Sequence, residues 1–370
     1  MKIGIVCPYD ITRSGGVQEH VMAQAAELRT RGHEVKILTP KPRKYLDEPA
    51  DDVIFIGTSA KVKTPIKTSL ELGISLSRDA VDDILAAENF DLLHIHEPEV
   101  PVIGGQILAK ATSPVIATFH ALYPDTRMGR TLESLRVPFA RSIFSKLSTL
   151  TAVSNAAAEF VRELTGRDVA IVPNGIDLTK YSSKPARQAD PRTILYIGRL
   201  EKRKGVRYLL KAFALLAARD SEVELVIAGA GEQRSSLEKY VRDKEIPRVS
   251  FLGFVDEAEK LRLLRQASLF CSPAIYGESF GIVLLEAMAT GTVTVAGANP
   301  GYESVLQGTG SLSLVDPTQT EEFARRLELL LNDETLRQAW LDWAAVHIKQ
   351  FDYQKVVDQY ERLYEDCLRP

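Results

Sequence analysis

The chain has 370 residues, too many for one ordinary core, and its 45% apolar and 26% charged content is that of a globular protein with two domains. A net charge of −3 gives no strong field for a polyanion, which argues against nucleic acid as a partner. Cys7, Cys271 and Cys367 lie too far apart for a disulfide framework or a metal site, no apolar run approaches a membrane span, and Ile3 to Val6 is too short for a signal peptide, so a reducing cytoplasm is expected.

Lys2 to Cys7 reads as a short buried strand, followed by a polar loop from Tyr9 that ends in Gly15-Gly16. Val17 to Arg31 has helical periodicity through Val21, Ala25 and Leu28, Gly32 stops it, and Glu34 to Leu38 is the next strand. Strand, glycine turn, helix, strand is a βαβ unit and implies a parallel sheet. The paired glycines let a backbone approach a ligand at the helix start, although a plain tight turn has the same composition. Lys41 to Lys67 is polar, rich in Pro and Lys, and shows no assignable period; Ser75 to Ala87 reads as an acidic helix.

Asp91 to Glu97 is a strand with His94 and His96 on one face. Alternating histidines can ligate a metal, but no third ligand is evident, so packed strand residues are the simpler reading; His96-Glu97 is also placed to line a cleft. Helices over Pro101 to Ala111, Thr131 to Leu147 and Asn155 to Leu164 alternate with strands Pro114 to His120 and Leu150 to Val153, and Val169 to Pro173 closes a first domain, 1–173. His120 stands at a strand end, where a pKa near neutrality would suit proton or hydrogen-bond exchange; a core histidine is the alternative.

Asn174 to Arg192 reads as a linker opening a second domain, 174–350. Its strands are Thr193 to Ile197, Glu224 to Ala228, Val249 to Leu252, Leu269 to Ser272 and Thr292 to Ala296, with helices between them and over Thr320 to Asn332 and Glu334 to His347. Tyr353 to Leu368 is a last amphipathic helix with Val356, Val357, Tyr360, Leu363 and Tyr364 on its stripe. The whole reads as a doubly wound α/β fold made twice, with ligands expected at the C-terminal strand ends.

Three constellations lie at such ends. Gly277-Glu278-Ser279-Phe280-Gly281 opens the apolar helix from Ile282, and Gly291 is placed as its left-handed C-cap. The helix start suits a phosphate, and Glu278 and Glu286 flank it as acceptors for sugar and ribose hydroxyls. A lone Glu pair is more often solvated, but four apolar residues after Gly281 put this helix inside, where a carboxylate needs a partner. Gly198-Arg199 with Lys202-Arg203-Lys204-Gly205 reads as a diphosphate clamp rather than a solvated basic loop. Gly253-Phe254-Val255 precedes a helix start near Lys260 and by composition alone is an ordinary loop.

The Glu278 to Glu286 spacing resembles the Glu-x7-Glu signature of retaining GT-B glycosyltransferases of family four. Ile3 to Tyr9, Gly15 to Gln18, Arg31 to Val35, Leu93 to Pro98, Ile116 to His120, Val172 to Gly175 and Gly277 to Met288 resemble the phosphatidylinositol mannosyltransferases within it. The resemblance implies two Rossmann-like domains facing a central cleft, with a C-terminal helix, 351–370, crossing back to the first. It implies GDP-mannose as donor, retention of configuration and a polyol or glycolipid acceptor such as an inositol phospholipid. It gives catalytic roles to His120, Glu278, Arg199 and Lys204. Donor contacts fall to Gly15, Gly16, Val255, Lys260, Phe280, Gly281, Ile282 and Glu286, and acceptor contacts to Tyr9, Gln18 and Tyr123. No tightly bound metal or cofactor is implied, with a divalent cation such as Mg2+ at most stimulatory. Other donors such as a UDP-sugar, or epimerase chemistry on the same fold, are the alternatives.

The chain departs from the subgroup at Ala121-Leu122-Tyr123-Pro124, which replaces a hydroxyl-rich run, and at Glu99, which replaces an amide. Both flank the expected acceptor pocket. The subgroup's basic membrane-touching helix is here acidic, so weak peripheral contact with the inner face of the plasma membrane would fall to Lys61, Lys63 and Lys67.

Overall fold

In the computed structural model, residues 1–13, 15–42, 51–63, 69–74, 78–100, 103–122, 144–182 and 192–369 are described. The chain divides into two compact units, Met1–Gly175 with Tyr353–Pro370, and Ile176–Asp352.

The first unit carries β1 (Lys2–Val6), β2 (Glu34–Lys41), β3 (Val53–Lys63), β4 (Ser69–Ile74), β5 (Leu92–His96), β6 (Val115–Phe119), β7 (Thr149–Ala152) and β8 (Ala170–Ile171). Their order in the sheet is β4-β3-β2-β1-β5-β6-β7-β8. Every residue of β5 and β6 is buried, as strands covered by helices on both faces must be, which is why they read as continuous runs. The β3–β4 pair was not legible in the sequence. These strands run antiparallel at the sheet edge, with Lys61 opposite Glu71 and Lys63 opposite Ser69. An edge pair can be rich in charge and needs no apolar run, so periodicity does not reveal it. The expected acidic helix runs Arg78–Glu88, and most of the helix expected over Thr131 to Leu147 lies outside the described residues.

The second unit carries β9 (Thr193–Ile197), β10 (Glu224–Ala228), β11 (Val249–Gly253), β12 (Leu269–Ser272), β13 (Thr294–Gly297) and β14 (Leu314–Val315). Their order is β11-β10-β9-β12-β13-β14, and all pairs are parallel. Successive strands run outward from β9 on one side and from β12 on the other, so strand order reverses between β9 and β12. Each sheet has one such reversal, between β1 and β5 in the first unit, and ligands in these folds bind at that point.

The terminal helix Tyr353–Leu368 belongs to the first unit. Val356, Val357, Tyr360 and Tyr364 are buried in one cluster with Val21, Ala25 and Leu28 of the helix Gly16–Thr30. Arg31 donates to Asp358 at 2.6 Å and pairs with Glu361, and His33 meets Glu361 at 2.7 Å. The Arg31-Gly32-His33 turn, known from the sequence only as part of the resemblance, fastens this helix.

Candidate active site

In the second unit, the loops leaving the adjacent strands β9 and β12 come together. The β9 loop turns through a short 3-10 helix, Lys202–Lys204, and ends at Gly205. Gly205 has φ +72°, and a Cβ there would sit 1.9 Å from the Pro273 carbonyl oxygen, so only glycine lets the two loops approach this closely. Lys204 Nζ reaches Glu278 Oε1 at 2.8 Å, and Arg203 pairs with the same oxygen. Arg203 also donates to the Gly277 carbonyl at 3.1 Å and to Glu201 at 2.9 Å. Burial would raise the Glu278 carboxyl, but Lys204 and Arg203 outweigh it and hold it below the usual carboxylate range. Arg199 is more exposed and pairs with Glu201 at 2.9 Å.

The helix Ile282–Ala289 then begins at Gly281, whose φ of +111° and 2.7 Å clearance to the Tyr302 ring for an added Cβ again admit only glycine. No side chain caps this helix start. Phe280 is buried, and Gly291 closes the helix at φ +70°. Glu286 is buried on the same helix and takes Lys260 at 2.6 Å. Lys260 lies in the first turn of Glu257–Gln266, a helix capped by Asp256 just after Val255. Burial would lower the Lys260 amine, but Glu286 and Glu257 reverse this and hold it above its ordinary range.

In the first unit, Tyr9 after β1, Glu97 after β5 and His120 after β6 stand at one end of the sheet, all buried. The His120 backbone N–H donates to Glu97 Oε1 at 2.9 Å, and the Tyr9 hydroxyl lies 3.5 Å from Glu97 Oε2. Glu97 is a non-glycine residue at φ +52°, a strained conformation of the kind that concentrates at functional sites. Burial raises its carboxyl, against hydrogen bonds from Glu99, the His120 and Ala121 amides and Tyr9. Gly15 is extended at φ −176° and forms the N-cap of the helix Gly16–Thr30; Gln18 folds back beside it. Tyr123 lies outside the described residues.

Two expectations change here. A pKa near neutrality for His120 is not found, because burial and the neighbouring His20 and His94 push it well below that range. His96 is also less isolated than its strand suggests. His20, His96 and His120 are buried, with one ring nitrogen of each within 4.8 Å of the others, so a third histidine that the sequence does not reveal stands beside His96 and His120. His20 and Gln24 sit four residues apart on the buried face of the first helix, and polar residues there were the available signal. Arg203 was read as part of the basic clamp run but not singled out within it, and the structure turns it toward Glu278.

The buried imidazoles make the fold acid-sensitive. Burial lowers His20 to about 4, and burial with the charge of His20 lowers His94 to about 3. The unfolded chain takes up these protons below about pH 6.5 and the folded chain does not. Stability is therefore full above that pH and falls as pH drops toward 4, by about 3 kcal/mol in order of magnitude for His20 alone. A urea midpoint that is unchanged between about pH 7.5 and about pH 5 would contradict this.

Known proteins share this organisation. Residues 14–180 match the family described as Glycosyltransferase Family 4, and residues 177–345 match Glycosyl transferases group 1. The phosphatidyl-myo-inositol mannosyltransferase of Mycolicibacterium smegmatis is 35% identical over 99% of this chain and 94% of its own length. The N-acetyl-alpha-D-glucosaminyl L-malate synthase of Bacillus anthracis is 27% identical over 100% of this chain and 98% of its own. In fold, the chain is similar to the crystal structure of Anabaena HepE in complex with UDP-glucose, with TM-score 0.76, 18% identity and coverage of 99% of this chain and 100% of that one.

Proposed function

The chain belongs to glycosyltransferase family 4, and from that premise we propose that it moves mannose from GDP-mannose to a hydroxyl of an inositol phospholipid, with retention of configuration. The supporting observation is the 35% identity, running through both units, to a phosphatidyl-myo-inositol mannosyltransferase.

The site chemistry fits a sugar nucleotide. Breaking the sugar–phosphate bond leaves negative charge on the diphosphate and positive charge on the sugar. Lys204 and Arg203 meet Glu278 within one cluster, so cations for the phosphate lie beside an acceptor for the sugar hydroxyls. That adjacency matches a substrate in which the two groups are joined by one bond. Arg199 and the uncapped helix start after Gly281 add charge stabilisation for the leaving group. Glu286, held by Lys260, is the ribose acceptor, with Val255 beside the base. In the first unit, Tyr9, Gln18 and His120 are the groups for the sugar and its acceptor. No cofactor is required by this reading, and a divalent cation is at most stimulatory.

Titration calorimetry with GDP, UDP and GDP-mannose tests the donor. Tighter binding of GDP than UDP is expected, and a preference for UDP would redirect the reading to another nucleotide sugar.

Among the described residues, no helix is long and apolar enough to cross a membrane. Contact with the lipid is proposed to be peripheral, at the cytoplasmic face, through Lys61 and Lys63 of β3 together with Lys67, which lies outside the described residues. Each lysine near an anionic surface contributes about 1 kcal/mol, screened by salt. Vesicle binding that ignores both salt and replacement of the three lysines by Gln would place the contact elsewhere.

A further inference from the structure

His120 stands at the end of a chain of buried hydrogen bonds whose direction can be worked out from its far end. The Ala117 carbonyl can only accept, and Thr151 Oγ1 donates to it at 3.1 Å. Thr151 must then accept from Thr118, at 2.6 Å. Thr118 has spent its proton and accepts from His94 Nε2 at 2.7 Å, so His94 carries its proton on Nε2. His94 Nδ1 is therefore an acceptor, and the Tyr364 hydroxyl donates to it at 2.7 Å. The Tyr364 oxygen in turn accepts from the Gln24 amide nitrogen at 2.8 Å. This fixes the Gln24 amide with its oxygen toward His96 Nε2, 3.0 Å away, which must donate. His96 Nδ1 is left as an acceptor, and among the described residues the group within hydrogen-bond distance of it is His120 Nε2 at 2.9 Å.

We infer that Gln24, His94, His96, Thr118, Thr151 and Tyr364 hold His120 in a single tautomer, with the proton on Nε2 and Nδ1 bare.

The consequence is chemical. With its Nε2–H given to His96, His120 has only the bare Nδ1 to offer a substrate hydroxyl, so toward the substrate it receives a hydrogen bond and does not give one. The six residues are positioning residues, and they include Tyr364 from the terminal helix. This bearing on catalysis rests on the reading of His120 as a group that meets the sugar or its acceptor.

Long-range proton–nitrogen correlation on the full chain, labelled with nitrogen-15 histidine and assigned with His120→Gln, reads the tautomer directly. The expected His120 pattern is Nε2–H with bare Nδ1. A proton on Nδ1, protons on both nitrogens at neutral pH, or a metal in place of the Nε2 proton would each overturn the inference. Gln24→Met removes the acceptor for His96, and His120 should then populate both tautomers. Its kcat should fall about tenfold with the donor KM unchanged, the rate equivalent of one hydrogen bond lost in the transition state. Tyr364→Phe should keep the single tautomer, because Gln24 Nε2 already lies 3.1 Å from His94 Nδ1. A single tautomer retained in Gln24→Met would also overturn the proposal, and should that variant fail to fold, the wild-type spectrum decides. Full transfer by His120→Ala would remove the role of His120 and leave the tautomer result standing, so the two failures are told apart.

Discussion

Glu278→Gln is expected to lower kcat by about 100-fold or more while donor affinity holds or rises. Among the described residues, Glu278 is the carboxylate that pairs with both Lys204 and Arg203, and those cations keep it ionised in a largely buried position. The amide retains the shape and loses the charge. In the proposed reading, a transition state that places positive charge on the sugar loses the Glu278 charge, whereas the diphosphate faces the same cations with less competition. Steady-state kinetics beside calorimetry with GDP-mannose separates these effects. Weakened donor binding with kcat intact would mean that Glu278 serves the nucleotide. That outcome is instead expected for Glu286→Gln, whose carboxylate partners Lys260 at 2.6 Å.

Lys204→Ala should weaken binding of GDP and GDP-mannose by about 1.5–3 kcal/mol, roughly 10- to 150-fold, the usual cost of one charge-assisted hydrogen bond. The side chain is only 16% exposed and already aimed at the Glu278 loop, so little ordering is lost on binding. Arg203→Ala should be of similar size, because Arg203 is 12% exposed and holds both Glu278 and the Gly277 carbonyl. Arg199 is 54% exposed, and its contribution should be smaller. Equal affinity in all three variants would remove the clamp.

Much of this site was legible because its signals are local. Glycines with positive φ, an apolar helix start and charges after a strand sit next to each other in the chain, as at Gly198 to Gly205 and Gly277 to Gly291. The central strands were legible for the same reason, since burial on both faces leaves a continuous apolar run. The β3–β4 edge pair was not, because an edge strand carries charge and has no such run. The histidine cluster escaped because its members come from the first helix, β5 and the end of β6, and only folding brings their ring nitrogens within 4.8 Å of one another. Arg203 was legible only as one of the clamp's cations, because neighbouring basic residues look alike until geometry shows that Arg203 and Lys204 are the ones that turn toward Glu278.

The most direct test of the central claim is a transfer assay with labelled GDP-mannose and phosphatidylinositol vesicles, with the anomeric configuration of the product read by nuclear magnetic resonance. The account predicts a mannosylated inositol lipid with the α configuration retained, formed by the wild type and strongly reduced in Glu278→Gln. Turnover of the sugar nucleotide with no acceptor product, or a product of inverted configuration, would contradict it.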